Sequence, residues 1–150
     1  MQHVIDNVSR AKWVDEVVVA SPHKIPDYKV EVWEDLDEND LLTRYYLSAK
    51  VNEADVIVRI TSDCPFIDSN IIDMAITYYF KTSFPYVCFA PVDGLDVEVF
   101  SFRLLEEAWY NSKGEYDKEH VTPYMKRKTK LSIDTKEDLR KARQWYEFLR

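Results

Sequence analysis

Apolar and polar positions along the 150-residue chain switch repeatedly between a helical period and a strand period, and the switches predict its elements. Val4, Ile5, Val8 and Ala11 recur at helical spacing over residues 2–12. Val17 to Ala20 is a short apolar run ended by Ser21-Pro22, which predicts a buried strand. Lys29 to Trp33 alternates and predicts a short edge strand. After an acidic turn from Glu34 to Asp40 comes a helix whose apolar face is Leu41, Leu42, Tyr45, Tyr46 and Ala49. Asp40 is suited to cap it, and the acids before it suit the helix dipole. Val56 to Ile60 is a β-branched run interrupted by Arg59, too short for a helix and expected as a buried parallel strand. It runs into Thr61-Ser62-Asp63, and Pro65 stops it. A helix follows, capped by Asp68 or Ser69, with Ile71, Ile72, Met74, Ala75, Ile76 and Tyr79 as its apolar positions.

The second half continues the alternation. Tyr86 to Ala90 predicts a strand. From Asp93 to Phe100, Leu95, Val97 and Val99 alternate with Asp96 and Glu98, as in a half-exposed strand carrying two carboxylates on one face. Ser101 caps an amphipathic helix, and Lys118 to Met125 reads as a short helix or turn. Leu131 to Asp134 is a last short strand, and Thr135 with Asp138 resembles a capping box opening a helix to Arg150. With no repeats or linkers, residues 1–150 read as one α/β domain around a mostly parallel sheet. In open α/β sheets ligands bind beyond the carboxyl ends of strands, which is where Asp63 falls.

Composition changes this picture in three places. The net charge of −7 opposes binding to a nucleic-acid backbone. The basic run from Lys126 to Lys130 is the exception, and reads as a solvated turn, with a face towards phosphates as the alternative. Cys64 and Cys88 have no zinc-ligand spacing and fit a reducing compartment, with Cys64 expected as packing. No apolar run reaches the length of about 18 residues that suggests a membrane span, and no leader pattern opens the chain, so a cytoplasmic, membrane-free protein is expected. Gly94 and Gly114 are the only glycines, so neither GxGxxG nor GxxxxGK[ST] is present.

Four blocks then resemble one family: Val-Ile-Val-Arg-Ile-Thr-Ser-Asp-Cys-Pro-Phe-Ile-Asp, Asp-Gly-Leu-Asp-Val-Glu-Val-Phe-Ser, Glu-His-Val-Thr-Pro-Tyr and Ser-Ile-Asp-Thr-Lys-Glu-Asp-Leu. Occurring in the right order over residues 2–150, they resemble the spore coat polysaccharide biosynthesis-type cytidylyltransferases, kin to the synthetases of CMP-sialic acid and CMP-3-deoxy-manno-octulosonate. The resemblance implies a Rossmann-like three-layer α/β/α sandwich of the nucleotide-diphospho-sugar transferase type. It implies CTP as co-substrate, a sugar or sugar acid as acceptor, and Mg²⁺ or Mn²⁺ to neutralise and align the phosphates.

By position, the resemblance assigns the metal carboxylates to Asp63 and Asp134; helix capping or turn formation is the alternative for both. It places Asp93, Asp96 and Glu98 on a sugar-side loop and strand, where a solvated strand face is the alternative. Glu119, His120 and Tyr124 fall in a block near the sugar pocket, with His120 expected as a ligand contact ahead of a general base, and a structural role as the alternative. Arg59, inside an apolar strand, calls for a carboxylate or phosphate partner. Asp40 and Arg44 match an Asp-x-x-x-Arg-Tyr helix start of the family, without an assigned role.

The chain departs from the family at its start. The family opens with a central strand and an Arg/Lys loop that holds the CTP phosphates, and Met1 falls beyond both, so an N-terminally truncated form of the fold is expected. The segment from Lys126 to Lys130 is also shorter than usual. Three closures of the resulting gap are open: Val17–Ala20 pairs directly with Val56–Ile60, another chain fills it (a homodimer or a complementing chain), or the sequence is a fragment. Two functions follow. One is an enzyme that activates a surface-polysaccharide sugar. The other is a non-catalytic relative serving as a sugar- or nucleotide-binding or assembly module.

Overall fold

Asp40, Asp68 and Ser101 each close a helix start by accepting a backbone N–H, from Thr43 at 3.0 Å, Asn70 at 2.8 Å and Leu104 at 3.2 Å. These bonds belong to a computed structural model that describes residues 1–25, 30–32, 36–82, 84–90, 94–129, 140 and 143. The described elements run α1 (Gln2–Val8), β1 (Val19–Ser21), β2 (Val30–Val32), α2 (Leu41–Val51), β3 (Val56–Arg59), α3 (Ser69–Lys81), β4 (Tyr86–Phe89), β5 (Val97–Ser101), α4 (Phe102–Asn111), α5 (Glu115–His120) and α6 (Pro123–Lys128). The expected strand from Leu131 to Asp134 lies outside the described residues, and so does the helix to Arg150 apart from Arg140 and Arg143, which are helical.

The strands form two separate sheets. β1 pairs with β2 in parallel, while β5 lies between β3 and β4 and is antiparallel to both. The expected mostly parallel sheet is therefore corrected among the described strands: a β-branched run marks a strand but carries no information on its direction. The expectation of a half-exposed strand at residues 93–100 also fails, because Val97, Glu98, Val99 and Phe100 are all buried. Apolar side chains cover both faces of β5. Val97 and Val99 pack with Ile72, Ala75 and Ile76 of α3, and Phe100 packs with Leu42 and Tyr46 of α2 and Leu105 of α4.

Val17–Ala20 does not close the sheet onto β3. Only its second half joins β1, and it is half-buried rather than buried. A cavity of about 1150 Å³ separates the two sheets, lined by Val17, Val18 and Ala20 on one side and by Val56, Val58 and Ile60 on the other. Val4 and Val8 of α1 and Ile76 and Phe80 of α3 also line it.

Candidate active site

The site is built at the carboxyl end of β3. Strand register sets Arg59 opposite Glu98, which sits opposite Cys88, so three polar residues share one row across β3, β5 and β4. Arg59 Nη1 donates to Glu98 Oε2 at 2.6 Å, and its guanidinium carbon lies 5.8 Å from the Tyr45 ring centre. The expected partner of Arg59 is thus a carboxylate of the same protein. The other Glu98 oxygen, Oε1, accepts from the Tyr86 hydroxyl at 2.7 Å, the Thr122 hydroxyl at 2.9 Å and Lys126 Nζ at 3.0 Å.

This shell decides the charge of Glu98. Burial, the largest single effect, pushes its carboxyl up; Arg59, Tyr86 and Lys126 together outweigh burial and hold it below the ordinary range. Glu98 therefore stays ionised, a buried anion shared by two cations. The Tyr86 phenol is driven far up, by burial first and the Glu98 charge second, so it remains a donor.

Asp63 follows β3 through Ile60, Thr61 and Ser62 and is exposed. The Thr61 hydroxyl is the main reason its pKa is lowered; burial opposes this, and its own backbone N–H, the Cys64 thiol and the Arg59 charge assist. An ionised, exposed carboxylate at a strand end is a hard oxygen donor of the kind that holds Mg²⁺ together with phosphate and water. Among the described residues no three His, Cys, Asp or Glu side chains converge on a metal. Asp134 and Asp93 lie outside the described residues.

The remaining expected residues spread away from this point. Asp96 accepts the Gly94 N–H at 3.2 Å, closing a turn in which Gly94 holds φ +86. Tyr124 points to the far side of α6 and donates to Glu107 Oε1 at 2.8 Å. Glu119 and His120 are exposed on α5, and the His120 ring packs edge-on against Tyr116 with centres 4.4 Å apart. Of the nine residues, the structure brings together Asp63, Arg59 and Glu98. Cys64 is buried, as expected of packing.

Sequence reasoning missed Tyr45, Tyr86, Thr122 and Lys126. Lys126 was expected in a solvated turn, but residues 123–128 are helical and their cations are paired. Lys126 reaches Glu98, Arg127 pairs with Asp117 at 2.6 Å, and Lys128 pairs with Glu107. One signal was readable: Thr122 and Lys126 are four residues apart, which puts both on one helix face.

The turn that presents Thr122 is strained. Val121, wholly buried, has φ +66 and ψ −53, and the Thr122 N–H donates to the His120 carbonyl at 2.7 Å. That is a γ-turn of positive φ, rare for any residue and more so for a β-branched one, with a strain of about 1–3 kcal/mol. Thr122 occupies the N-cap of α6 ahead of Pro123, yet makes no side-chain cap bond. It forgoes about 1 kcal/mol of capping and places its hydroxyl on an ionised carboxylate, a bond of about 1.5–3 kcal/mol.

A family profile described as cytidylyltransferase matches residues 1–148. The chain is 37% identical over 134 residues to an uncharacterized protein of Methanocaldococcus jannaschii, MJ1063; the match covers 83% of this chain and 55% of that protein, so the chain spans about half of its relative's length. The fold matches a cytidylyltransferase from Leptospira borgpetersenii serovar Hardjo-bovis with a TM-score of 0.71 and 27% identity, over 91% of this chain and 71% of the other. The chain belongs to the cytidylyltransferase family.

Proposed function

We propose that this chain carries the metal-side and acceptor-side half of a cytidylyltransferase site, of the kind that activates a sugar or sugar acid for surface-polysaccharide synthesis in the cytoplasm. The reaction class is attack of an acceptor hydroxyl on the α-phosphorus of CTP, forming a CMP-linked product and releasing pyrophosphate. The observation that carries the reading is the ionised, exposed Asp63 at the end of β3, within the field of an Arg59 that Glu98 fixes in place.

Each residue then has a role of its own. Asp63, with Asp134, would hold Mg²⁺ or Mn²⁺, which when bound supplies charge neutralisation and alignment of the phosphates. Arg59 contributes fixed positive charge beside the phosphates, and Glu98 keeps its guanidinium in one orientation. Asp93, Asp96, Glu119, His120 and Tyr124 remain candidates for the acceptor side; Glu119 and His120 are exposed, and Asp96 is half-buried in its Gly94 turn. Partners filling the gap between β1 and β3, whether a second copy or another chain, belong to the same proposal.

Calorimetric titration of CTP with Mg²⁺ into the purified chain tests it, repeated with Asp63→Ala. Metal-dependent binding lost in the variant is the expected result. A folded wild-type chain that ignores millimolar CTP would sink the nucleotide reading and leave the non-catalytic binding or assembly module.

A further inference from the structure

Thr122 and Val121 carry no role in the proposed site, yet the chain adopts two unfavourable local arrangements there. A buried valine is held at positive φ, and an N-cap threonine leaves the helix end without its side-chain cap. Both have the same consequence, delivery of the Thr122 hydroxyl to Glu98 Oε1 at 2.9 Å. Glu98 in turn grips Arg59 at 2.6 Å through its other oxygen. Thr122 is 2% exposed and the Glu98 side chain 5%, so neither can touch a ligand directly. The Arg59 side chain keeps 15% exposure, and it is the member of the chain whose charge reaches Asp63.

We propose that the His120–Val121–Thr122 turn is a clasp: Val121 and Thr122 are positioning residues that lock Glu98, and through it orient Arg59 towards a phosphoryl oxygen of the nucleotide. The inference rests on the nucleotide reading above and adds to it a specific path. Thr122 and Lys126 rise from one face of α6 onto the same oxygen, so α6 holds the carboxylate from one side and Tyr86 of β4 from another. Removing the hydroxyl leaves Oε1 with two donors, one of them the half-exposed and flexible Lys126. Glu98 then gains rotational freedom, and the guanidinium loses its fixed plane before any fold is lost.

The test pairs Thr122→Val, which keeps the side-chain shape and deletes the hydroxyl, with Thr122→Ser, which restores it. In the free protein, nitrogen NMR of the Arg59 guanidinium reports its rotation. Slow rotation is expected in wild type and in Thr122→Ser, and rotation faster by at least tenfold in Thr122→Val. By calorimetry, CTP with Mg²⁺ is expected to bind about tenfold more weakly to Thr122→Val and within twofold of wild type to Thr122→Ser. A folded Thr122→Val that keeps slow rotation overturns the clasp even if CTP binds normally. Slow rotation in a wild type that binds no CTP overturns instead the phosphoryl role of Arg59 and the reading beneath it. Should Thr122→Val fail to fold, Val121→Gly, which loosens the turn and retains the hydroxyl, is expected to speed Arg59 rotation; unchanged rotation there overturns the clasp.

Discussion

At the scale of single residues, Glu98 shows how a carboxylate becomes structural without ceasing to be charged. Its pKa lies below the ordinary 4.5, so it stabilises the fold fully above that value, and the contribution is lost as pH falls through the lower, folded pKa. Glu98→Gln removes the charge at every pH. Denaturant melts at pH 7 are expected to show a loss of about 3 kcal/mol, the low end for breaking a buried pair, since Arg59 retains 15% exposure. Below pH 4.5 the gap between variant and wild type should close. An undiminished gap at pH 3 would mean that Glu98 acts through shape and not through charge. Val121 supports a second prediction with an unusual sign. In ordinary helix or strand backbone, glycine is less stable than alanine by about 0.5–1 kcal/mol. At φ +66 that order should reverse, so Val121→Gly is expected to be at least as stable as Val121→Ala in the same melts.

At the scale of elements, what was legible depended on whether the signal lay in a residue type or in a pairing. Asp40, Asp68 and Ser101 announce helix starts because a short acceptor side chain at that position satisfies an orphan N–H wherever the helix later packs. Asp40→Ala should accordingly cost about 1 kcal/mol, read as a lower melting temperature with unchanged helix content at 20–25 °C. Strand direction was not legible, since Val56–Arg59 has the same residues whether it runs with β5 or against it. Nor was the face of Glu98: alternation separates it from Val97 and Val99 but cannot say that α2 and α6 cover the second face. The Lys126–Lys128 run misled for a related reason. Its three acidic partners, Glu98, Asp117 and Glu107, come from three different elements, and no local pattern links them. Arg59 was the informative exception, because a guanidinium inside an apolar strand demands a partner.

At the scale of the whole molecule, the main opening among the described residues is the cavity between β1 and β3. Among the described residues, β5 is paired along both edges, whereas β3 is paired along one and presents the other to about 1150 Å³ of largely apolar space. In an antiparallel pair, successive residues of one strand direct their N–H groups alternately towards the partner and away from it. The isolated chain is therefore expected to show alternating slow and fast amide exchange along Val56–Arg59, while Val97–Ser101 is protected at every position. An open edge of this kind is also a template for another strand. If a second copy or another chain adds one there, the fast β3 amides become slow, and those facing the cavity from Val19–Ser21 slow with them. Protection that rises with protein concentration identifies a second copy, and protection that appears only with an added chain identifies a heterologous strand. Uniformly slow β3 amides in the dilute, isolated chain would mean that the two sheets close directly on each other, and that the cavity is not the form the protein holds in solution.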